Sequence, residues 1–337
     1  STLRLFGRPE DLVRITLYRD HHAWCPYCQK VWLWLEFKQI PYKVKKVTMR
    51  CYGQKEDWYL QKVPSGMLPA LEINGKILTE SDNILYHLEK EFGALGTPIE
   101  DQRALQFRKL ERKLFNAWCI WLCRPKLNKW FENKDKEYFR EIAKEMEFEL
   151  SLNDGPWLDQ TLNQEGNPIP GTSDLVFVPY VERMNASLAY YKGLNIREDH
   201  PYIDKWLSAL EELEIYRGTQ GDFHTHAHDL PPQMGGCWPD QNPNQKIFSD
   251  AIDSGEGLGL AEIKSFAIEN SKELLPEVVA LKRVLKHKNT LKLVNPMKDE
   301  DFDQPLRAAL SNLISNKKYK PNKGSAFGLR YLRDRIS

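Results

Sequence analysis

Two thiols three residues apart, Cys25 and Cys28 in the run Cys25-Pro26-Tyr27-Cys28, have the spacing best suited to chemistry. Pro26 fits the first position of a helix, where its missing N–H costs nothing and its fixed φ is already helical. Cys25 then stands at the helix N-terminus, facing unpaired N–H groups and the positive end of the helix dipole. Such a site lowers a thiol's pKa to roughly 3.5–7.5 and yields a nucleophilic thiolate. Cys28 follows one turn on, within reach of Cys25, where a resolving thiol releases a mixed disulfide by intramolecular attack. The chemistry these residues suit is thiol–disulfide exchange. His21, His22, Trp24 and Lys30 are the neighbours that would add to an electropositive setting.

The same two sulfurs also fit half of a zinc site, which needs a second ligand pair. Cys119 and Cys123 share a helix face at i, i+4, but among Trp118 and Trp121 they read better as buried, inert thiols, and no metal is expected. His224, His226 and His228 alternate, so on an extended segment three imidazoles would face one way. Cys237 is the only thiol near enough to serve as a fourth ligand. The preferred reading is a polar strap packed on the core, with one histidine at the border of a substrate cleft.

With 337 residues, 41% hydrophobic and 28% charged, the chain is long enough for two or three domains and too apolar to be disordered. No apolar run approaches the roughly 18 residues that span a bilayer, the densest being Val31 to Leu35, so no membrane partner is expected. Six cysteines are too few for a disulfide scaffold and point to a reducing compartment, cytosol or plastid stroma. The N-terminus lacks the apolar stretch of a secretory signal and starts without Met, so a trimmed transit peptide stays open. The net charge of +1 hides an uneven distribution: residues 282–337 hold 14 basic and 5 acidic side chains. With few aromatics interleaved, this tail reads as a solvated or internally paired face, and nucleic acid is not expected as a partner.

The elements that must position Cys25 follow from periodicity. Val13 to Tyr18 and Tyr42 to Val47 alternate as strands around a helix from Pro26 through Lys38, and a short helix covers Asp57 to Gln61. Leu71 to Leu78 is a hairpin turning at Asn74-Gly75, and a further helix capped near Ser81 carries Ile84, Leu85, Leu88 and Phe92 on one face. The order is βαβαββα. After the breaker-rich Gly93–Pro98 the period becomes helical, with Leu105, Leu110, Leu114, Trp118 and Trp121 on one stripe, and only helices are expected to about Thr219. Between 221 and 245, 15 of 25 residues are Gly, Pro, Asp, Asn or Gln, which reads as a strap without secondary structure. Two amphipathic helices follow, one on Leu274, Val278, Leu281 and Leu285, the other on Leu306, Leu310 and Leu313.

These residues resemble the glutathione transferases. Residues 13 to 92 look like that family's thioredoxin-fold domain, with Val63-Pro64-Ser65-Gly66-Met67-Leu68-Pro69-Ala70-Leu71 similar to its Pro-x-Gly-x-Val-Pro-x-Leu segment and Glu80-Ser81-Asp82 opening the third helix. The likeness continues through Leu188–Gly193 and the Pro201 to Leu210 helix. Cys-Pro-Tyr-Cys and the long tail after His228-Asp229-Leu230-Pro231-Pro232-Gln233-Met234-Gly235-Gly236-Cys237 most resemble the Iota class, with Omega and Lambda as cysteine-type relatives.

The resemblance implies an α/β thioredoxin-like N-terminal domain, an all-α C-terminal domain and a C-terminal helical extension. The divisions would be 1–12, an N-terminal extension; 13–95; 96–220; and 221–337, strap and extension. It implies glutathione as co-substrate: Leu68, before the cis-proline match Pro69, would bind the cysteinyl backbone. Glu80 and Ser81 would hold the γ-glutamyl end, and Lys55 the glycyl carboxylate. Cys25 would be the nucleophile and Cys28 a possible resolving thiol in a homodimeric enzyme that takes glutathione off mixed disulfides and reduces dehydroascorbate. Gly171, three residues before Asp174, departs from the family's usual Ser or Thr cap, so Thr172 or Ser173 would substitute. Two other readings stay open. One is a ligand carrier without turnover, its cleft lined by Trp118, Trp121 and Trp130; the other is a scaffold acting through the basic tail.

Overall fold

The computed structural model describes residues 2–125, 128–163, 165–253, 277–278, 281, 284–285, 288–315 and 317–336. The chain forms two compact units, Ser1–Ile252 and Asp253–Ser337.

In the first unit, β1 (Thr2–Arg4), β2 (Ile15–Asp20), β3 (Tyr42–Val47), β4 (Ala70–Ile73) and β5 (Lys76–Thr79) make one sheet in the order β1-β3-β2-β4-β5. Only β2 and β3 are parallel, Ile15 opposite Tyr42 and Asp20 opposite Val47; the other pairs are antiparallel. A parallel pair requires a crossover, which α1 (Pro26–Phe37) supplies. With α2 (Asp57–Lys62) and α3 (Ser81–Phe92) this is a thioredoxin-like βαβαββα core. Asn74 and Gly75 turn the hairpin at φ 50° and 79°, the positive values a two-residue turn of this hand needs. Residues 1–12 are not outside this domain: β1 pairs with β3, and Arg4 grips Glu36 through two hydrogen bonds of 2.9 and 2.7 Å. Three residues are too few for alternation to register in the sequence.

The helical part comprises α4 (Gln102–Cys123), α5 (Lys129–Ser151), α6 (Thr172–Lys192), α7 (Ile196–Asp199), α8 (Pro201–Glu211), α9 (Glu214–Arg217), α10 (Phe223–Met234) and α11 (Pro243–Asp253). All of α6 except Tyr190 is buried, so it has no polar face for periodicity to reveal. This stretch is not purely helical. A hairpin of β6 (Gln160–Leu162) and β7 (Pro168–Pro170) interrupts it, its turn held by Asn163 accepting from Glu165 N and Asn167 N.

The expected strap is helical over Phe223–Met234 and again from Pro243, with an irregular link between. Asp222 caps α10 by accepting from Thr225 N at 2.8 Å, and Gly235, at φ 82°, closes it. Pro231 and Pro232 fall in its last turn, where the missing N–H of Pro231 would strand the carbonyl of Ala227. Tyr191 fills that place, donating its hydroxyl to Ala227 O at 2.9 Å. On a helix His226 faces away from His224 and His228, so the three imidazoles do not share one face.

At the start of α6 the cap is made from the other side: Asp174 accepts from Gly171 N, Leu158 N, Asp159 N and Trp206 Nε1, all within 3.2 Å. Burial nevertheless pushes its carboxyl up to about 7. Thr172 does not substitute as the cap, since its hydroxyl serves Glu89 and Leu95 O. Glycine is required at 171 because a Cβ there would meet the backbone oxygen of Asp159 at 2.4 Å.

The second unit contains α12 (Lys288–Val294), α13 (Asp299–Ser315) and α14 (Ala326–Ile336). Its core gathers Val284, Phe302, Leu306 and Leu332, and Asn295 Nδ2 donates to Gly328 O at 3.0 Å. Leu306, Leu310 and Leu313 lie on α13 as their spacing predicts; Leu274 lies outside the described residues. Among the described residues no helix is long and apolar enough to cross a membrane.

Gly171→Ala keeps an accessible φ but forces Cβ into Asp159 O, so it should cost roughly 2–3 kcal/mol, the scale of a buried overpacking change. Urea titration followed by circular dichroism measures this, and a loss under 0.5 kcal/mol, about the spread of neutral surface changes, would count against the close approach.

Candidate functional site

Strand β2 ends at Asp20, whose buried carboxylate organises the next five residues: its Oδ2 accepts from Trp24 N at 2.7 Å and Cys25 N at 3.3 Å. Ala23 takes φ 55° to make this tight return. Cys25 is the N-cap of α1 and Pro26 its first residue; Cys25 O accepts from Cys28 N and Gln29 N at 3.1 and 3.0 Å. The thiol sits where the strand gives way to the helix, beside the first-turn N–H groups. Cys28 lies deeper. Burial, first, and its hydrogen bond to Cys25 push the Cys28 thiol well up, so its proton stays on and points toward the Cys25 sulfur.

The far side of this turn is tied to α6. Arg183, 1% exposed, donates Nε to Trp24 O at 2.8 Å and a terminal N–H to Gln29 Oε1 at 2.6 Å. Glu182 beside it accepts from Gln29 at 3.0 Å, Tyr216 OH at 2.8 Å, Gly221 N at 2.9 Å and His226 Nε2 at 2.5 Å. Burial alone would raise Glu182, but these donors and the charge of Arg183 take it down to about 2. His226 moves down from its ordinary value because of burial and Arg183, so it is a neutral donor to an anionic Glu182.

Cys25 opens on a cavity of about 740 Å³ lined also by Met49, Arg50, Lys55, Leu68 and Gln233. The peptide Leu68-Pro69 is cis. Leu68 and Lys55 therefore share the cavity with Cys25; Pro69 stands behind Leu68 and is not among the lining residues. Lys55 donates to Thr48 O at 2.8 Å, and burial lowers it from its ordinary value. Glu80 and Ser81 lie at the start of α3, outside that lining, with Glu80 at φ 64° in a backbone region that strains a non-glycine residue.

Of the neighbours of Cys25 read as electropositive, Lys30 is spent on Asp82 at 2.6 Å. His22 stacks on Tyr52 and faces Asp229 at 3.5 Å. Trp118 and Trp121 are core residues, 2% and 0% exposed, and Trp130 is on the surface, so they line no common cleft. Missed in the sequence was the part played by α10, which brings Gln233 to the cavity and Asp229 to Tyr52 and His22. The signal available was the cap pattern Asp222-Phe223-His224-Thr225.

Residues 24–91 match the family model of the glutathione S-transferase N-terminal domain. This stretch is similar to the glutathione S-transferase N-terminal domain. Arabidopsis thaliana "Glutathione S-transferase DHAR2" is 27% identical over 198 residues, 58% of this chain and 84% of that one. Arabidopsis thaliana "Glutathione S-transferase L3" is 25% identical over 203 residues, 59% and 79% of the two chains. The glutathione S-transferase fold is matched by Chlamydomonas reinhardtii dehydroascorbate reductase at TM-score 0.53 and 19% identity, covering 66% of this chain and 99% of that one. A Tau class transferase from mango gives TM-score 0.54 at 16% identity over 64% and 96% of the two chains.

The linkage at Glu182 has a definite sign. A carboxyl at about 2 when folded and 4.5 ordinarily stabilises fully above pH 4.5 and loses that contribution as pH falls toward 2. The difference is worth roughly 3 kcal/mol, and His226, lowered as well, adds loss in the same direction below its ordinary value of 6.5. Denaturant melts between pH 7 and 3 should therefore fall more steeply for the native chain than for Glu182→Gln, which starts less stable; parallel curves would contradict the assignment.

Proposed function

We propose that this chain is a glutathione-dependent thiol transferase of the cysteine type. The observation that carries it is the position of Cys25: at the N-terminus of α1, open to the cavity that Leu68 and Lys55 also line, with Cys28 buried behind it. The Cys25 thiolate attacks the glutathionyl sulfur of a mixed disulfide, the S–S bond breaks, and the substrate leaves as its thiol after taking a proton. A second glutathione, as thiolate, attacks the enzyme-bound sulfur, giving oxidised glutathione and free Cys25. The acceptor class extends to dehydroascorbate, taken up as two electrons and two protons from two glutathiones. Relatives bearing the name DHAR support that extension.

The cavity suits the tripeptide. Arg50 and Lys55 offer positive charge for the glycyl carboxylate, and the backbone at Leu68 a strand-like partner. The N–H groups at the start of α3, beside Ser81, would take the γ-glutamyl carboxylate. Glu80, on a strained backbone, would take the γ-glutamyl amine. Cys28 is a resolving thiol only after deprotonation, so the monothiol route is the main one. The class assignment closest to the sequence is Iota, in a homodimer, in a reducing compartment; relatives are named both cytosolic and chloroplastic.

Intact-mass spectrometry after treatment with oxidised glutathione, beside turnover of a glutathionyl mixed disulfide, tests this. The native chain should gain a glutathionyl group mapped to Cys25, and Cys25→Ser should lose kcat/KM by roughly 10⁴- to 10⁶-fold, the scale of removing a nucleophile. Cys28→Ser should retain turnover and accumulate the adduct. Full turnover by Cys25→Ser would end the proposal. Glu80→Gly relieves the strained φ and should raise stability by about 1 kcal/mol while raising the KM for glutathione; an unchanged KM removes Glu80 from the site.

A further inference from the structure

A second pair of sulfurs faces each other away from the cavity. Cys123 is the last residue of α4 and Cys237 lies three residues beyond the end of α10. Their Sγ atoms are 3.9 Å apart, both thiols are free and both are half-buried. The backbone on either side is fixed: Trp238 N donates to Leu122 O at 3.1 Å, joining the neighbours of both cysteines, and Asp240 N donates to Tyr191 O at 2.7 Å. Lys192, fully buried, holds Asp240 by an ion pair of 2.7 Å. Cys237 reaches α4 because Gly235 and Gly236 take φ of 82° and 140°.

A disulfide needs the sulfurs about 2.04 Å apart, so closure asks for about 1.9 Å of approach, within reach of side-chain rotation on pinned backbones. We propose that Cys123 and Cys237 are a second redox-active dithiol, separate from Cys25 and Cys28, which a small disulfide such as oxidised glutathione converts to a bond between α4 and the segment after α10. One cysteine, as thiolate, attacks a sulfur of the small disulfide; that S–S bond breaks and one small thiol leaves with a proton. The other cysteine gives up its proton and attacks the protein sulfur of the mixed disulfide, releasing the second small thiol. Two protein thiols are oxidised by two electrons in all, and one small disulfide is reduced to two thiols. The bond would fasten the end of the helix that carries Gln233 to the candidate cavity, so the state of this pair would bear on that cleft. The pair's own chemistry is independent of what the cleft binds.

The full chain carrying Cys25→Ser and Cys28→Ser keeps Cys51, Cys119, Cys123 and Cys237. It is treated with oxidised glutathione, then denatured and alkylated with N-ethylmaleimide. Mass spectrometry should show two of the four thiols protected, a peptide linking Cys123 to Cys237, and recovery of both by dithiothreitol. The native chain, mapped in parallel in case the double variant folds poorly, should give the same link and a higher melting temperature when oxidised. With Cys237→Ser added, the link should vanish and Cys123 should be either alkylated or glutathionylated. Full alkylation of Cys123 and Cys237 in the oxidised native chain, arrest at a glutathionyl adduct, or a link through Cys119 instead would each overturn the proposal.

Discussion

Two adjacent charges, Glu182 and Arg183, stand in the middle of a helix with almost no exposed surface, and the turn that carries Cys25 hangs from them. Taking them out of water costs several kcal/mol each unless every donor and acceptor finds a partner. The partners come from separate places in the chain: Trp24 O and Gln29 from the thioredoxin-like domain, Tyr216 and Gly221 from the end of the helical domain, His226 from α10. One network therefore fixes the loop before Cys25, the second turn of α1 and the helix bordering the cavity. Losing any member leaves another charge buried without its counterpart, which is why this node tolerates less than its few residues suggest.

The pair in the Cys-Pro-Tyr-Cys turn is asymmetric for the same kind of reason. Cys25 is at the helix lip beside an open cavity, whereas Cys28, one turn in, is 1% exposed and keeps its proton. Burial holds the proton on Cys28, while Cys25 lies against the cavity. Asp20 stands close to both, its Oδ2 accepting from two backbone N–H groups, so it shapes the turn.

Much of this was readable in the residues. Strand, turn and Pro26 located the thiol at a helix start; Asn74-Gly75 located the hairpin; Leu68 and Lys55 line the cavity beside Cys25, whereas Pro69, Glu80 and Ser81 do not. Tertiary contacts decided the rest. The 221–245 segment is rich in helix breakers, yet α10 forms because Asp222 caps it, Tyr191 satisfies the carbonyl freed by Pro231, and His226 docks on Glu182. Lys30 looked available to Cys25 because its partner Asp82 lies 52 residues on. Gly171 looked like a weakened cap, although the close passage of Asp159 O forbids any side chain there. Such long-range partners leave no trace in local patterning.

The short strand β1 sets where this molecule can be cut. It occupies one flank of β3, opposite the flank that β2 covers. A shortened version lacking the first four residues would bare a row of amides and carbonyls along β3 and strip Glu36 and Tyr42 of the guanidinium beside them. A bared edge of that kind invites another copy to pair with it, so clumping in solution, with chemistry at the distant thiol intact, is what such trimming would bring.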